Sequence, residues 1–144
     1  MRIEASPALT RQLEELSLPT TGAVYEATDE IVDWPTARSS LLRAFTLGQE
    51  AAQAESSVIY VVHSDDLLGR RGAPSAMVAT GLLSAARTAA IELSRKRASV
   101  NVVAVGDDTD ASVTAQWVLN LTNPSGPTGE LVRLDPSHLG KALP

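Results

Sequence analysis

AARTAAIEL, residues 85–93, and VNVVAVG, residues 100–106, are the two neighbouring segments that decide the fold of this chain. The first is rich in alanine and other good helix formers, whereas the second is a continuous β-branched run. A strand with no polar alternation is typical of a parallel sheet that is buried on both faces. A helix that leads into such a strand is the repeating unit of an α/β fold.

The same pairing of helix and strand extends outward in both directions. Apolar spacing predicts helices over residues 7–16, 34–54, 74–95 and 110–121, and β-favouring runs predict strands over residues 23–27, 57–62, 100–105 and 130–134. The segment between the second strand and the third helix is predicted to be a loop. This alternation indicates right-handed βαβ units and a parallel sheet flanked by helices. It predicts a fold class but no function, since one fold serves many functions.

The composition excludes several kinds of site. The chain has no cysteine, so disulfides, thiolate metal ligands and a cysteine nucleophile are excluded. Its net charge is -5 and its basic residues are scattered, which predicts that nucleic acid is not a partner. No apolar run approaches the roughly 20 residues of a membrane span, and the N-terminal segment is too polar for a signal peptide. We therefore expect a cytoplasmic protein with no membrane partner.

The two segments also resemble motifs of the short-chain dehydrogenase/reductase family. Residues 85–93 are similar to its helical segment alaxEla, and residues 100–106 to the strand irVNavaPG that follows it. Near the end of the chain, SGPTGELVRLD at residues 125–135 is similar to the family's ssyiTGqvlxvDGG. Upstream, residues 40–52 are similar to its helix NltgxfxxtqaA, and residues 58–64 to its strand IvniSS.

This resemblance has implications for the fold. The matches follow the family's order and cover about residues 23–135. They imply the last four strands of a seven-stranded Rossmann sheet. We therefore expect one domain over residues 1–144, with a truncated Rossmann-like three-layer α/β fold and a mainly parallel sheet of about four strands.

The nucleotide-binding loop of such a dehydrogenase is not found in the sequence. That loop is a glycine-rich turn after the first strand, where backbone N–H groups approach a pyrophosphate. The closely paired glycines are Gly69 with Gly72 and Gly126 with Gly129, and neither pair extends to a dinucleotide-binding motif. They are interpreted as loop residues, and no cofactor is predicted.

The family's Tyr-x-x-x-Lys pair is not found either. The only tyrosines are Tyr25 and Tyr60, and neither has a lysine four positions later. Alignment from Glu92 places the family's tyrosine at Ser75 and its lysine at Ala79. A one-turn gap would move them to Ala79 and Leu83, and the family's asparagine falls at Ser40. Independent dehydrogenase activity is therefore not expected.

The remaining catalytic candidates lie at the end of the strand at residues 57–62. The family's serine falls near Ser64 or Asp65, and His63 is adjacent. Without a base or a hydride donor, a serine hydroxyl performs no redox chemistry. An alternative function is a diverged enzyme or small-ligand binder that uses Ser64, His63 and Asp65. A hydrolase or metal site would instead combine the two histidines, His63 and His138, with Asp65 and Asp66. Asp110 and the acidic residues before it are interpreted as caps of the next helix.

The function that we favour from the sequence is that of a non-catalytic structural or regulatory subunit. An incomplete sheet leaves an edge and a face to be covered, either by the chain's own ends or by another subunit. Members of the family commonly pair through the two long helices matched here. We expect a homo-oligomer, or a hetero-oligomer with a complete dehydrogenase, with these interface residues: Leu42, Phe45, Ala85, Ala86 and Ala89.

Overall fold

A parallel sheet with helices on both faces forms the part of the chain that the structure describes. The structure is a computed structural model that describes residues 1–16, 18–19, 21–27, 31–96 and 98–135. The strands are β1 (Arg2–Glu4), β2 (Ala23–Glu26), β3 (Val58–His63), β4 (Val100–Val105) and β5 (Leu131–Arg133). The helices are α1 (Pro7–Glu15), α2 (Trp34–Gln53), α3 (Ser64–Leu67), α4 (Ala73–Glu92) and α5 (Ala111–Leu121). The strand order is β1-β2-β3-β4-β5 and each neighbouring pair is parallel, so the predicted α/β class is confirmed.

The described sheet has five strands, one more than predicted. The additional strand is β1, which was not predicted from the sequence. Ile3 of β1 pairs with Val24 of β2, so the N-terminal segment covers the edge of β2 that was expected to be exposed. The residues of β1 read Arg-Ile-Glu, a three-residue strand with one apolar side chain between two charged ones. That is too short and too polar to give the strand signal that the longer runs give. A second difference is α3, a single helical turn within the predicted loop.

The helices lie on opposite faces of the sheet. Helices α1 and α5 pack on one face through these residues: Leu9, Leu13, Val24, Ile59, Val61, Val103, Ala115, Val118 and Leu121. Helices α2 and α4 pack on the other face, where the strand side chains at Tyr25, Tyr60 and Val102 point. Every connection steps to the next strand in the same direction, so helices on opposite faces require crossovers of opposite hand. The expectation of uniformly right-handed units is therefore wrong.

Aspartate side chains cap the N-termini of α2 and α5. The carboxylate of Asp33 accepts a hydrogen bond of 2.8 Å from the backbone N–H of Thr36, and Asp110 accepts one of 2.7 Å from Ser112. These bonds lower the pKa of both aspartates, because they favour the charged carboxylate. The prediction that Asp110 caps α5 is confirmed. Among the described helices, none has the length and apolarity that crossing a bilayer requires.

Asn101 ties the segment before β5 to β4. Its fully buried side chain donates hydrogen bonds to the carbonyls of Pro127 at 2.8 Å and Leu121 at 3.4 Å, and accepts one of 3.1 Å from the N–H of Glu130. Backbone groups of a turn that passes over a sheet need partners in this way. Asn101 thus adds side-chain hydrogen bonds to the backbone pairing that joins β4 to the segment of residues 125–135.

Candidate functional site

The carboxyl end of β3 holds the three catalytic candidates predicted from the sequence. Ser64 is 0% exposed, and its hydroxyl has no hydrogen-bond partner among the residues that the structure describes. Asp66, two residues further, is also buried, and its Oδ1 is likewise unpaired there. Two unpaired oxygens therefore lie beneath the surface at this edge of the sheet.

His63 and Asp65 are adjacent to Ser64, but their side chains interact with other groups. The His63 Nδ1 accepts a hydrogen bond of 3.2 Å from the backbone N–H of Asp65, and Nε2 lies 3.0 Å from a carboxylate oxygen of Asp107. A neutral imidazole that carries its proton on Nε2 satisfies both contacts. No ring nitrogen is then left to accept the proton of Ser64. Asp65 forms an ion pair of 2.8 Å with Arg70.

Asp66 is the carboxyl at this end whose ionisation is perturbed. Burial raises its pKa, and the charge of Arg71, at 3.5 Å, opposes this effect. Within the described part of the chain, outside which His138 lies, no group of three histidine or carboxylate residues is placed to hold a metal ion.

The positions aligned with the family's acid–base residues have structural roles. The Ser75 hydroxyl is buried and donates a hydrogen bond of 3.0 Å to the carbonyl of Ile31. Ala79 and Leu83 are buried in the core. The hydroxyl of Ser40, at the asparagine position, lies 2.7 Å from that of Tyr25 inside the same core. None of these side chains is an acid or base that titrates in the physiological range.

The loop glycines have the conformations of turn residues. Gly69, Gly72 and Gly129 have φ values of 70°, 108° and 77°, which glycine adopts without strain. Gly69 and Gly72 connect α3 to α4, and Gly129 precedes β5. None of them lies in the turn after β1, where a dinucleotide-binding loop begins.

The exposed face of α2 and α4 contains most of the predicted interface residues. Phe45 is 63% exposed and Leu42 is 50% exposed, and Ala85 is exposed beside them. Ala89 is half-buried. Ala86 is not part of this face, because its helical phase points it into the core, where it is 0% exposed.

A groove of about 650 Å³ lies between the carboxyl-terminal halves of α2 and α4. Its floor is formed by Val58, Tyr60 and Val100 of β3 and β4. Most of its wall residues are apolar, and the walls also carry these polar residues: Gln49, Ser84, Thr88 and Glu92. Burial raises the pKa of the Tyr60 phenol, which therefore stays neutral. Nothing in the sequence pointed to this groove, because its parts come from four separate elements.

Comparison with solved structures identifies the fold. The chain is similar to "ElxO with NADP Bound", with a TM-score of 0.66 at 12% identity over 80% of this chain and 65% of that one. It is also similar to the enoyl-[acyl-carrier-protein] reductase (NADH) from Aquifex aeolicus VF5, with a TM-score of 0.64 at 11% identity over 88% of this chain and 65% of that one. A structure titled "Dehalogenation enzyme" gives a TM-score of 0.67 at 14% identity, over 90% and 73% of the two chains.

These neighbours are enzymes of the short-chain dehydrogenase/reductase type, so the predicted resemblance is confirmed for the fold. The chain spans about 65% of the length of ElxO and of the enoyl reductase. No protein-family model and no curated protein sequence matches the chain.

Proposed function

We propose that this chain, which has the fold of the short-chain dehydrogenase/reductase enzymes, is a non-catalytic cytoplasmic subunit that acts by assembly. The observation that carries the proposal is the pair of side chains at the family's tyrosine and lysine positions. The Ser75 hydroxyl donates a hydrogen bond to a backbone carbonyl, and the Ala79 side chain has no proton to transfer. Carbonyl reduction needs a proton donor next to the hydride acceptor, and neither residue supplies one.

The turn between β1 and α1 supports the same conclusion. In a dinucleotide-binding fold this turn presents free N–H groups to a pyrophosphate. Here the backbone N–H of Ser6 donates a hydrogen bond of 2.8 Å to the carboxylate of Glu26, and Pro7 has no N–H to offer. A carboxylate at this position repels a phosphate, so we propose that the chain binds no nicotinamide cofactor.

The exposed face of α2 and α4 supports assembly. Phe45 and Leu42 lie in solvent on one helix, and the small side chain of Ala85 lies on the neighbouring one. Bulky apolar side chains beside small ones allow another helix to approach closely and remove apolar area from water. We propose that a second copy of the chain or a complete dehydrogenase binds to this face.

Sedimentation velocity of the purified chain, alone and mixed with candidate dehydrogenases from the native host, tests the proposal. We expect a species heavier than the 15.1 kDa monomer in at least one of these samples. Leu42→Glu should disperse that species, whereas Glu14→Gln on α1 serves as a matched surface control. A monomer in every sample, with no effect of Leu42→Glu, would contradict assembly through this face.

Small-ligand binding at the end of β3 is the alternative function. It is supported by the two buried oxygens of Ser64 and Asp66 that lack partners in the described structure. A screen for ligand-induced shifts in melting temperature should then give shifts that Ser64→Ala, His63→Ala and Asp65→Ala abolish. Shifts that survive all three substitutions would reject this alternative.

A further inference from the structure

The groove between α2 and α4 lies at the opposite end of the sheet from Ser64. Val58 and Val100 are the first residues of β3 and β4, whereas Ser64 follows the last residue of β3. The groove is therefore separate from the sequence-predicted candidates. Its volume, about 650 Å³, falls in the range of roughly 300–1,000 Å³ that is usual for small-molecule sites.

Tyr60 places one polar atom in this groove. The residue is only 5% exposed, and its hydroxyl forms no hydrogen bond within the described residues. The hydroxyl lies against Gly48, where a Cβ would overlap it. Gly48 thus provides the space that the phenol needs. The hydroxyl is not among the fully buried side-chain oxygens without a partner, so it opens onto the groove and can donate to a molecule there.

The surroundings restrict what could satisfy that hydroxyl. One end of the groove is closed where α4 passes α2 at Gly81, since a Cβ there would lie 3.2 Å from a methyl of Leu41. The lining is mainly apolar, including Phe45, Leu82 and Leu93. The carboxylate of Glu92 in the lining disfavours an anion. A neutral, mostly apolar molecule fits this combination.

We propose that the groove binds a small, neutral, largely apolar molecule whose carbonyl or ether oxygen accepts a hydrogen bond from the Tyr60 hydroxyl. This site goes beyond the proposed assembly, because it belongs to the single chain. Phe45 lines the groove and also projects from the assembly face. A bound molecule and a second subunit therefore compete for this surface.

Binding of benzophenone and diphenylmethane, measured by ligand-observed NMR, tests the proposal. The two molecules have similar shapes, but only benzophenone carries an acceptor oxygen. The wild-type chain should bind benzophenone about five-fold more tightly, as one neutral hydrogen bond implies. Tyr60→Phe should reduce that ratio to about one while it leaves diphenylmethane binding unchanged. Tyr25→Phe is the matched control, since Tyr25 bonds Ser40 and is not part of the groove lining, and it should keep the ratio.

Binding of neither molecule by the wild-type or the Leu42→Glu chain, or a preference for the ketone that survives Tyr60→Phe, would overturn the proposal. The same titrations in the Leu42→Glu chain separate this site from assembly, because Leu42 does not line the groove. Ligand binding that persists there shows that the groove does not require a second subunit. Absence of ligand binding in the Leu42→Glu chain, whose groove no second subunit covers, rejects the groove and leaves the proposed assembly unaffected.

Discussion

The carboxylate of Glu26, the last residue of β2, accepts a hydrogen bond from the backbone N–H of Ser6, the residue that caps α1. This contact fastens the β1–α1 turn to the second strand. The carboxylate of Glu26 lies against the turn at the position where a dinucleotide-binding fold holds a phosphate. One side chain thus stabilises the local structure and makes the turn unsuitable for an anion.

Replacing Glu26 should weaken the fold. Glu26→Ala leaves the Ser6 N–H without its charged acceptor, and we expect the free energy of unfolding to fall by about 1 kcal/mol. Urea denaturation followed by circular dichroism measures the change. Glu14→Ala, at an exposed position of α1, should stay within about 0.5 kcal/mol of the wild type. Equal stability of Glu26→Ala and the wild type would show that the contact contributes nothing.

Asn101 should be among the residues most sensitive to substitution. Asn101→Ala leaves the carbonyl of Pro127 and the N–H of Glu130 unpaired beneath the segment that precedes β5, which should cost about 3 kcal/mol. Asn120→Ala, at an exposed position of α5, is the matched control. The same denaturation experiment compares the two. A loss at Asn101 no larger than that at Asn120 would contradict the structural role of the buried amide.

Gly48 and Tyr60 should be energetically coupled. Gly48→Ala improves helix propensity by about 1 kcal/mol, but its Cβ displaces the Tyr60 hydroxyl. We expect Gly48→Ala to be more favourable in a Tyr60→Phe background by about 1–2 kcal/mol. A double-mutant cycle of unfolding free energies measures this coupling. Additive effects would mean that the hydroxyl moves aside at no cost.

The pH dependence of stability should reveal Asp66. Because burial raises its pKa, the folded chain holds this proton more tightly than the unfolded chain. The contribution of Asp66 to stability is therefore greatest below the unfolded pKa and falls as pH rises through the folded pKa. Asp66→Asn should be stabilised relative to the wild type at about pH 7, with a smaller difference at about pH 4, near the ordinary pKa of aspartate.

Thermal unfolding at the two pH values measures that difference. Asp108→Asn, at an exposed position, controls for the loss of one negative charge. The exposed Arg71 adds little through its ion pair with Asp66, so its loss should not reverse the sign. A difference between Asp66→Asn and the wild type that grows toward low pH would contradict the burial of this carboxyl.

The long buried strands and the amphipathic helices were predictable from sequence because each carries a local signal. The β-branched runs of β3 and β4 read as strands wherever they occur. β1 has no such signal, since three residues with two charges form a strand only because β2 offers an edge. Ala85 and Ala86 are the same residue type, and only the helical phase set by packing separates the exposed one from the buried one.

The candidate sites were predictable only in part. Ser64, His63 and Asp65 are close together simply because they are adjacent in the sequence. The hydrogen bond between His63 and Asp107, in contrast, depends on the fold. From the sequence alone, Tyr60 is predicted to be an ordinary core residue of a buried strand. Its contact with Gly48 joins two elements across the α2–β3 connection, and no local pattern encodes it.

Calorimetric titration of the purified chain with NADPH and with NADH tests the central claim most directly. We propose that neither the β1–α1 turn nor the side chains of Ser75 and Ala79 support hydride transfer. We predict no saturable binding tighter than about 1 mM for either cofactor, and no turnover of any alcohol–carbonyl pair. A micromolar dissociation constant, or reduction of a carbonyl compound by the chain alone, would contradict the account.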